Sequence, residues 1–129
     1  MKKMLIVDDA SGWRRHHEAV IRSIFPNAFE IDTADSAYSA NELLYLNVDA
    51  PYDVILTDMQ MESDFLPLYA GEWLIEQIQK IGAYKNAKII IISASPSIRL
   101  IAENYHVDYI PKQYARNTES YKNLIDVEG

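Results

Sequence analysis

The chain has 129 residues, 49% hydrophobic and 24% charged, which suits one folded domain and excludes a disordered polyelectrolyte. Its formal net charge of −7 opposes binding to a phosphate backbone, which needs a basic face, and is compatible with a site that collects a divalent cation. The absence of cysteine excludes disulfides and thiolate metal sites, and no apolar run is long enough to cross a bilayer.

In chain order, residues 3–8 (KMLIVD) form a continuous apolar run of strand length. A run of this kind at the N-terminus reads as a strand rather than a signal peptide, so a cytoplasmic location is expected. Residues 12–25 place Trp13, His17, Val20, Ile21 and Ile24 on one helical stripe, which Pro26-Asn27 ends. Residues 29–34 (FEIDTA) alternate like a strand, and Asp35 or Ser36 can cap a helix running to about Leu46. Ala50-Pro51 is a turn before a strand at 52–58 (YDVILTD). After an irregular stretch, residues 71–81 carry Trp73, Leu74, Ile78 and Ile81 at helical spacing. Residues 87–93 (AKIIIIS) are the most β-branched run. A short helix at 97–105, a strand at 107–111 and a helix over about 117–127 complete the alternation. No internal repeat, linker or low-complexity segment interrupts it.

Alternating strands and helices imply a parallel sheet covered on both faces, and such sheets bind ligands beyond the carboxyl ends of their strands. What stands at those ends is therefore informative. The first strand runs into Asp8-Asp9, the third ends at Asp58, the fourth at Ser93-Ala94 and the fifth at Lys112. Clustered carboxylates repel and raise one another's pKa. A divalent cation removes that cost, and Mg²⁺ takes one or two carboxylates with water making up the octahedron. Asp8-Asp9 reads as one half of a metal site, and Asp58 as the other.

These residues resemble those of response-regulator receiver domains, the phosphoacceptor modules of two-component signalling. The matches are Asp8-Asp9, VILTDMQM around Asp58, IIIISAS around Ser93, and DYIPK ending in Lys112, with Tyr109 three residues before that lysine. The resemblance spans the whole chain, in order. It implies a flavodoxin-like, doubly wound α/β fold, with a five-stranded parallel sheet in the order 2-1-3-4-5 and five helices. It implies a single receiver domain over 1–129 with no output domain in this chain. Asp58 would be the phosphoacceptor, receiving its phosphoryl group from a histidine kinase or histidine phosphotransfer protein. Mg²⁺ would be held by Asp9, Asp58 and the backbone carbonyl of Gln60, with Asp8 acting through water. Lys112 would place its charge on the phosphoryl oxygens, Ser93 would hydrogen-bond another of them, and Ala94 would leave them room. Ser93 and Tyr109 would form the switch that alters a surface read by a downstream protein. The domain would not be an enzyme beyond assisting its own phosphorylation and dephosphorylation, and would bind neither nucleic acid nor membrane.

The sequence also departs from that pattern. Glu62 stands where the family has proline, and the expected glycine is delayed to Gly71. The loop 59–70 is thus longer and carries Phe65, Leu66, Leu68 and Tyr69, which suggests a segment that orders over the filled site. Gln113 replaces the proline of a cis peptide, so a trans junction after Lys112 is expected. The glycine usual before the fifth strand is absent, with NYHVD in its place. Within RRHH (14–17), a solvated helix face with half-buried His17 is expected, with Arg14 and Arg15 available to an acidic partner. Ser93 competes with Ser95 and Ser97 for the cap of the fourth helix. The alternative is a degenerate receiver-like interaction domain that is not phosphorylated; the acid pair, Asp58 and Lys112 argue against it. An aspartate-nucleophile phosphohydrolase would carry Asp-x-Asp at its first strand. A flavodoxin-like cofactor binder needs a phosphate loop that DDASGW does not supply.

Overall fold

The central strands are apolar along their whole length because both of their faces are covered. In the computed structural model, which describes residues 1–59 and 70–125, five parallel strands pair in the order β2-β1-β3-β4-β5. They are β1 (Lys2–Val7), β2 (Phe29–Ala34), β3 (Val54–Asp58), β4 (Lys88–Ser93) and β5 (Asp108–Pro111). The helices between them are α1 (Ser11–Ile24), α2 (Ala37–Leu46), α3 (Ala70–Lys80), α4 (Ile98–Tyr105) and α5 (Thr118–Lys122). Short 3-10 turns at Gly82–Tyr84 and Lys112–Tyr114 precede β4 and follow β5.

Side chains alternate across the sheet, so each strand feeds two cores. Leu5, Val7, Ile55, Ile89 and Ile91 pack with Ala40 and Leu44 of α2, Leu74, Ile75 and Ile78 of α3, and Ile98 and Ala102 of α4. Met4, Ile6, Leu56, Ile90, Ile92 and Ile110 face the other way, against Val20 and Ile21 of α1 and Tyr121 of α5. Each fully buried aliphatic side chain contributes about 1.5–3 kcal/mol. The register sets the height of the strand ends. Val7 lies opposite Thr57, and Asp58 opposite Ile92, so Asp8, Asp58 and Ser93 reach one edge together.

Most expected elements agree with these bounds to within two residues. The last helix differs: expected over 117–127, it covers Thr118–Lys122, with Asn117 accepting from Glu119 N at its start and Asn123 at its end. Asparagine competes for backbone hydrogen bonds and favours helix ends, and Leu124 N and Ile125 N both turn back to Tyr121 O. The loop 59–70 of the sequence reading falls outside the described residues except at its two ends.

Candidate functional site

Asp8 follows the last paired residue of β1. Its backbone N–H still donates to Ala34 O, while its Oδ1 accepts from Ala10 N at 3.0 Å, a local turn that starts α1. Asp8 is 0% exposed. Asp9 is half-buried beside it, and Asp58, buried at the end of β3, completes a group. Asp8, Asp9 and Asp58 each offer a carboxylate oxygen, all within 4.8 Å of one another.

Positive charge reaches the cluster from two elements. The Lys112 ammonium, just past β5, lies 3.8 Å from Asp58 Oδ2. It also stands 4.9 Å over the Trp13 ring, a cation–π contact that holds the long side chain over the site. No peptide bond in the described residues is cis, so the Lys112–Gln113 junction is trans as expected, and Lys112 still reaches Asp58. Arg14 donates from Nη1 to the backbone carbonyl of Asp8 at 2.7 Å. Arg14 is thus half-buried rather than on a fully solvated face as expected, while Arg15 is exposed. Arg14 lies in the first turn of α1, and the bend at Asp9 brings its guanidinium back to the strand end.

Ser93 is buried at the end of β4, where its Oγ accepts from Ser95 N at 3.0 Å. Its own hydrogen is not used in that bond. Ser95 Oγ in turn accepts from Ser97 N, and Ser97 makes no side-chain cap to α4. Ala94 is exposed at the mouth of the site. Tyr109 is half-buried on β5 and packs beside the layer of α3 and α4. Gln60, expected to offer a carbonyl, lies outside the described residues, as do Phe65, Leu66, Leu68 and Tyr69.

His17 is 2% exposed, not half-buried as the sequence suggests. It stacks on Trp13 with centroids 5.5 Å apart and hydrogen-bonds through Nδ1 to Tyr121 Oη at 2.7 Å. Its Nε2 lies 3.6 Å from Asp8 Oδ2. Burial lowers its pKa, and the nearby Asp8 carboxylate offsets only part of that effect, so the ring is neutral near pH 7. Burial, with the Asp8 charge, pushes the Tyr121 hydroxyl up from its usual range. His17 is on the apolar stripe read from the sequence, but a stripe specifies a face and not a depth. The pairing with Tyr121 spans 104 residues and has no local signal.

The donor set fits a hard divalent cation. Three carboxylates meet, and Asp8 Oδ2 is buried and makes no hydrogen bond of ordinary length among the described residues, with His17 Nε2 standing off at 3.6 Å. A buried anionic oxygen in that condition is costly, and a cation held by oxygen ligands relieves the cost.

Comparison with known proteins bears on the fold. No protein-family model matches the sequence, and no curated protein does. Solved structures do match. The receiver domain of a DNA-binding response regulator from Colwellia psychrerythraea 34H is 18% identical, with 100% of each chain covered and a TM-score of 0.77. The Mn²⁺-bound form of the response regulator Rcp1 is 15% identical, covering 95% of this chain and 94% of its own, with a TM-score of 0.72. A two-component transcriptional regulator from Clostridium phytofermentans is 25% identical, covering 98% and 94%, with a TM-score of 0.70.

Proposed function

We propose, on a fold that is that of the response-regulator receiver domains, that this chain is a phosphoacceptor in a two-component phosphorelay. The observation that carries the reading is Lys112 Nζ at 3.8 Å from Asp58 Oδ2, at the open end of a sheet where Asp8 and Asp9 also converge. A fold-only likeness would not require an ammonium and three carboxylates at one strand edge.

In this reading Asp58 attacks the phosphorus of a phosphohistidine on a kinase or phosphotransfer protein. An O–P bond forms, the N–P bond breaks, and the imidazole leaves with the electron pair. Lys112 holds the phosphoryl oxygens by charge, and the burial of Asp58 keeps most water from its carboxylate. Mg²⁺, held by Asp9, Asp58 and the Gln60 carbonyl, with Asp8 through water, would neutralise charge on those oxygens. The Ser93 hydroxyl then donates to a phosphoryl oxygen, a contact absent before transfer. Such a differential contact is what shifts a two-state surface, here around α4, β5 and Tyr109. The donor protein has an open hollow of about 510 Å³ to approach, lined by Ala10, Gly12, Trp13, His16 and Arg116. No described helix is long and apolar enough to cross a membrane.

Incubation with acetyl phosphate and Mg²⁺ should add one phosphoryl group by intact mass, mapped to Asp58. Asp58→Asn should abolish it. Unchanged labelling of that variant, or none of the native chain by any phosphodonor, rejects the reading in favour of an unphosphorylated interaction domain.

A further inference from the structure

The polar groups behind the carboxylates, buried except for the half-buried His16, form a connected line. His16 Nε2 and Tyr121 Oη both approach the Ala115 carbonyl, at 2.6 and 3.1 Å. Tyr121 Oη also meets His17 Nδ1 at 2.7 Å, and His17 Nε2 faces Asp8 Oδ2 at 3.6 Å. A neutral imidazole has one N–H and one lone pair, and a phenol has one hydrogen. If that hydrogen went to Ala115 O, His17 would have to donate from Nδ1, and its bare Nε2 lone pair would face the Asp8 carboxylate. The arrangement without that repulsion has Tyr121 donating to His17 Nδ1 and His17 donating from Nε2–H toward Asp8. Ala115 O then accepts from His16.

The position of His17 makes this informative. It shares the stripe of Val20 and Ile21 on α1, where an aliphatic side chain would pack without a desolvation cost. Imidazole there is justified by what it orients. We propose that His17 is a positioning residue for Asp8: it fixes the rotamer of the innermost carboxylate of the metal cluster and ties that cluster to α5 through Tyr121. The inference rests on the phosphoacceptor reading of the site. Partners that orient a metal-binding carboxylate are commonly worth 10- to 100-fold in metal affinity.

The test is Mg²⁺ titration by calorimetry on the full chain, with thermal unfolding of each metal-free variant as control. His17→Val should weaken binding by about tenfold or more. His17→Gln, whose amide nitrogen reaches the place of Nε2, should stay within about threefold of the native chain, the same second-sphere donor being kept. Tyr121→Phe, which frees Nδ1 but keeps the packing, should fall between them and remains informative if His17→Val does not fold. A native affinity in both His17→Val and Tyr121→Phe overturns the proposal while leaving the metal site standing. Equal losses in His17→Val and His17→Gln that follow their melting temperatures also overturn it, in favour of simple packing. No Mg²⁺ binding by the native chain overturns the proposal together with the site on which it depends.

Discussion

A single missing side-chain atom decides how α3 meets the phosphoacceptor. A Cβ built on Gly71 would lie 2.5 Å from Met59 Cα and 2.7 Å from Asp58 O, both backbone atoms that have no flexible end to move. Gly71 N–H also donates to Met59 O at 3.0 Å. Gly71→Ala should therefore destabilise the fold by about 1–3 kcal/mol, the range for overpacking a tight contact. It should also slow Asp58 labelling, because the shift falls on the backbone that carries the carboxylate. Urea unfolding and a labelling time course check the two effects. The delayed glycine was visible in the sequence, but its reason was not, since the contact joins residues on either side of a long insertion. The strand-end residues Asp8, Asp9, Asp58, Ser93 and Lys112 were legible because an apolar run announces where it stops. Arg14 and His17 were misplaced because helical periodicity assigns a direction, whereas their partners depend on how α1 leans on β1 and α5.

At the scale of elements, the short helices show which local signals suffice. Ser36 rather than Asp35 caps α2, accepting from Ser39 N at 3.0 Å. Ser36→Ala should cost about 1 kcal/mol in urea unfolding. The absence of a glycine before β5 has a definite consequence. His106 closes α4 in the left-handed region, at φ 58°, with Val107 N bonded to Ala102 O and His106 N to Glu103 O. That is the hydrogen-bond pattern for which glycine is preferred. An L-residue there costs about 1–2 kcal/mol, and glycine returns part of this as unfolded-state entropy. His106→Gly should thus stabilise by roughly 0.5–1 kcal/mol, seen as a higher urea midpoint with an unchanged slope. The sequence pattern placed α4 and β5 correctly but expected a longer α5. The amphipathic signal runs past Asn123, and the hydrogen bonds of Leu124 and Ile125 close the helix there instead.

Taken whole, the molecule keeps several phenols in places where their anions are unwelcome. Tyr52 is buried and donates to Asp32 Oδ2 at 2.6 Å, and burial followed by that carboxylate raises its pKa. Tyr84 donates to Leu44 O at 2.7 Å and is raised chiefly by burial, as is Tyr121. Tyr105, desolvated and bonded to Glu76, is pushed up to about 12. In the unfolded chain these groups titrate near 10. Above that pH the unfolded state holds fewer protons than the folded one, so stability falls as pH rises. The contribution is complete below about pH 10 and is lost progressively above it. Urea unfolding at pH 8, 10 and 11, all pH values chosen around about 10, should show this decline. Tyr52→Phe should make it shallower, even though it starts from a lower stability through loss of the Asp32 bond. The three-layered architecture, with its sheet in the order 2-1-3-4-5, was readable from the alternation of runs and from the family resemblance. The phenol network was not, because Tyr52–Asp32 and Tyr84–Leu44 join elements that only the folded sheet brings together.

The bond between Met59 and Gly71 has a consequence for how this chain tolerates change. The polypeptide leaves β3 and enters α3 at one hydrogen-bonded doorway, where Gly71 N–H meets Met59 O, so length added between those two points costs chiefly the entropy of closing a longer ring. That entropy grows with the logarithm of length, and doubling the ring costs only about 0.6 kcal/mol. A flexible Gly/Ser segment inserted between Gln60 and Ala70, about doubling that length, should leave the domain folded by thermal unfolding and Asp58 accessible to a small phosphodonor.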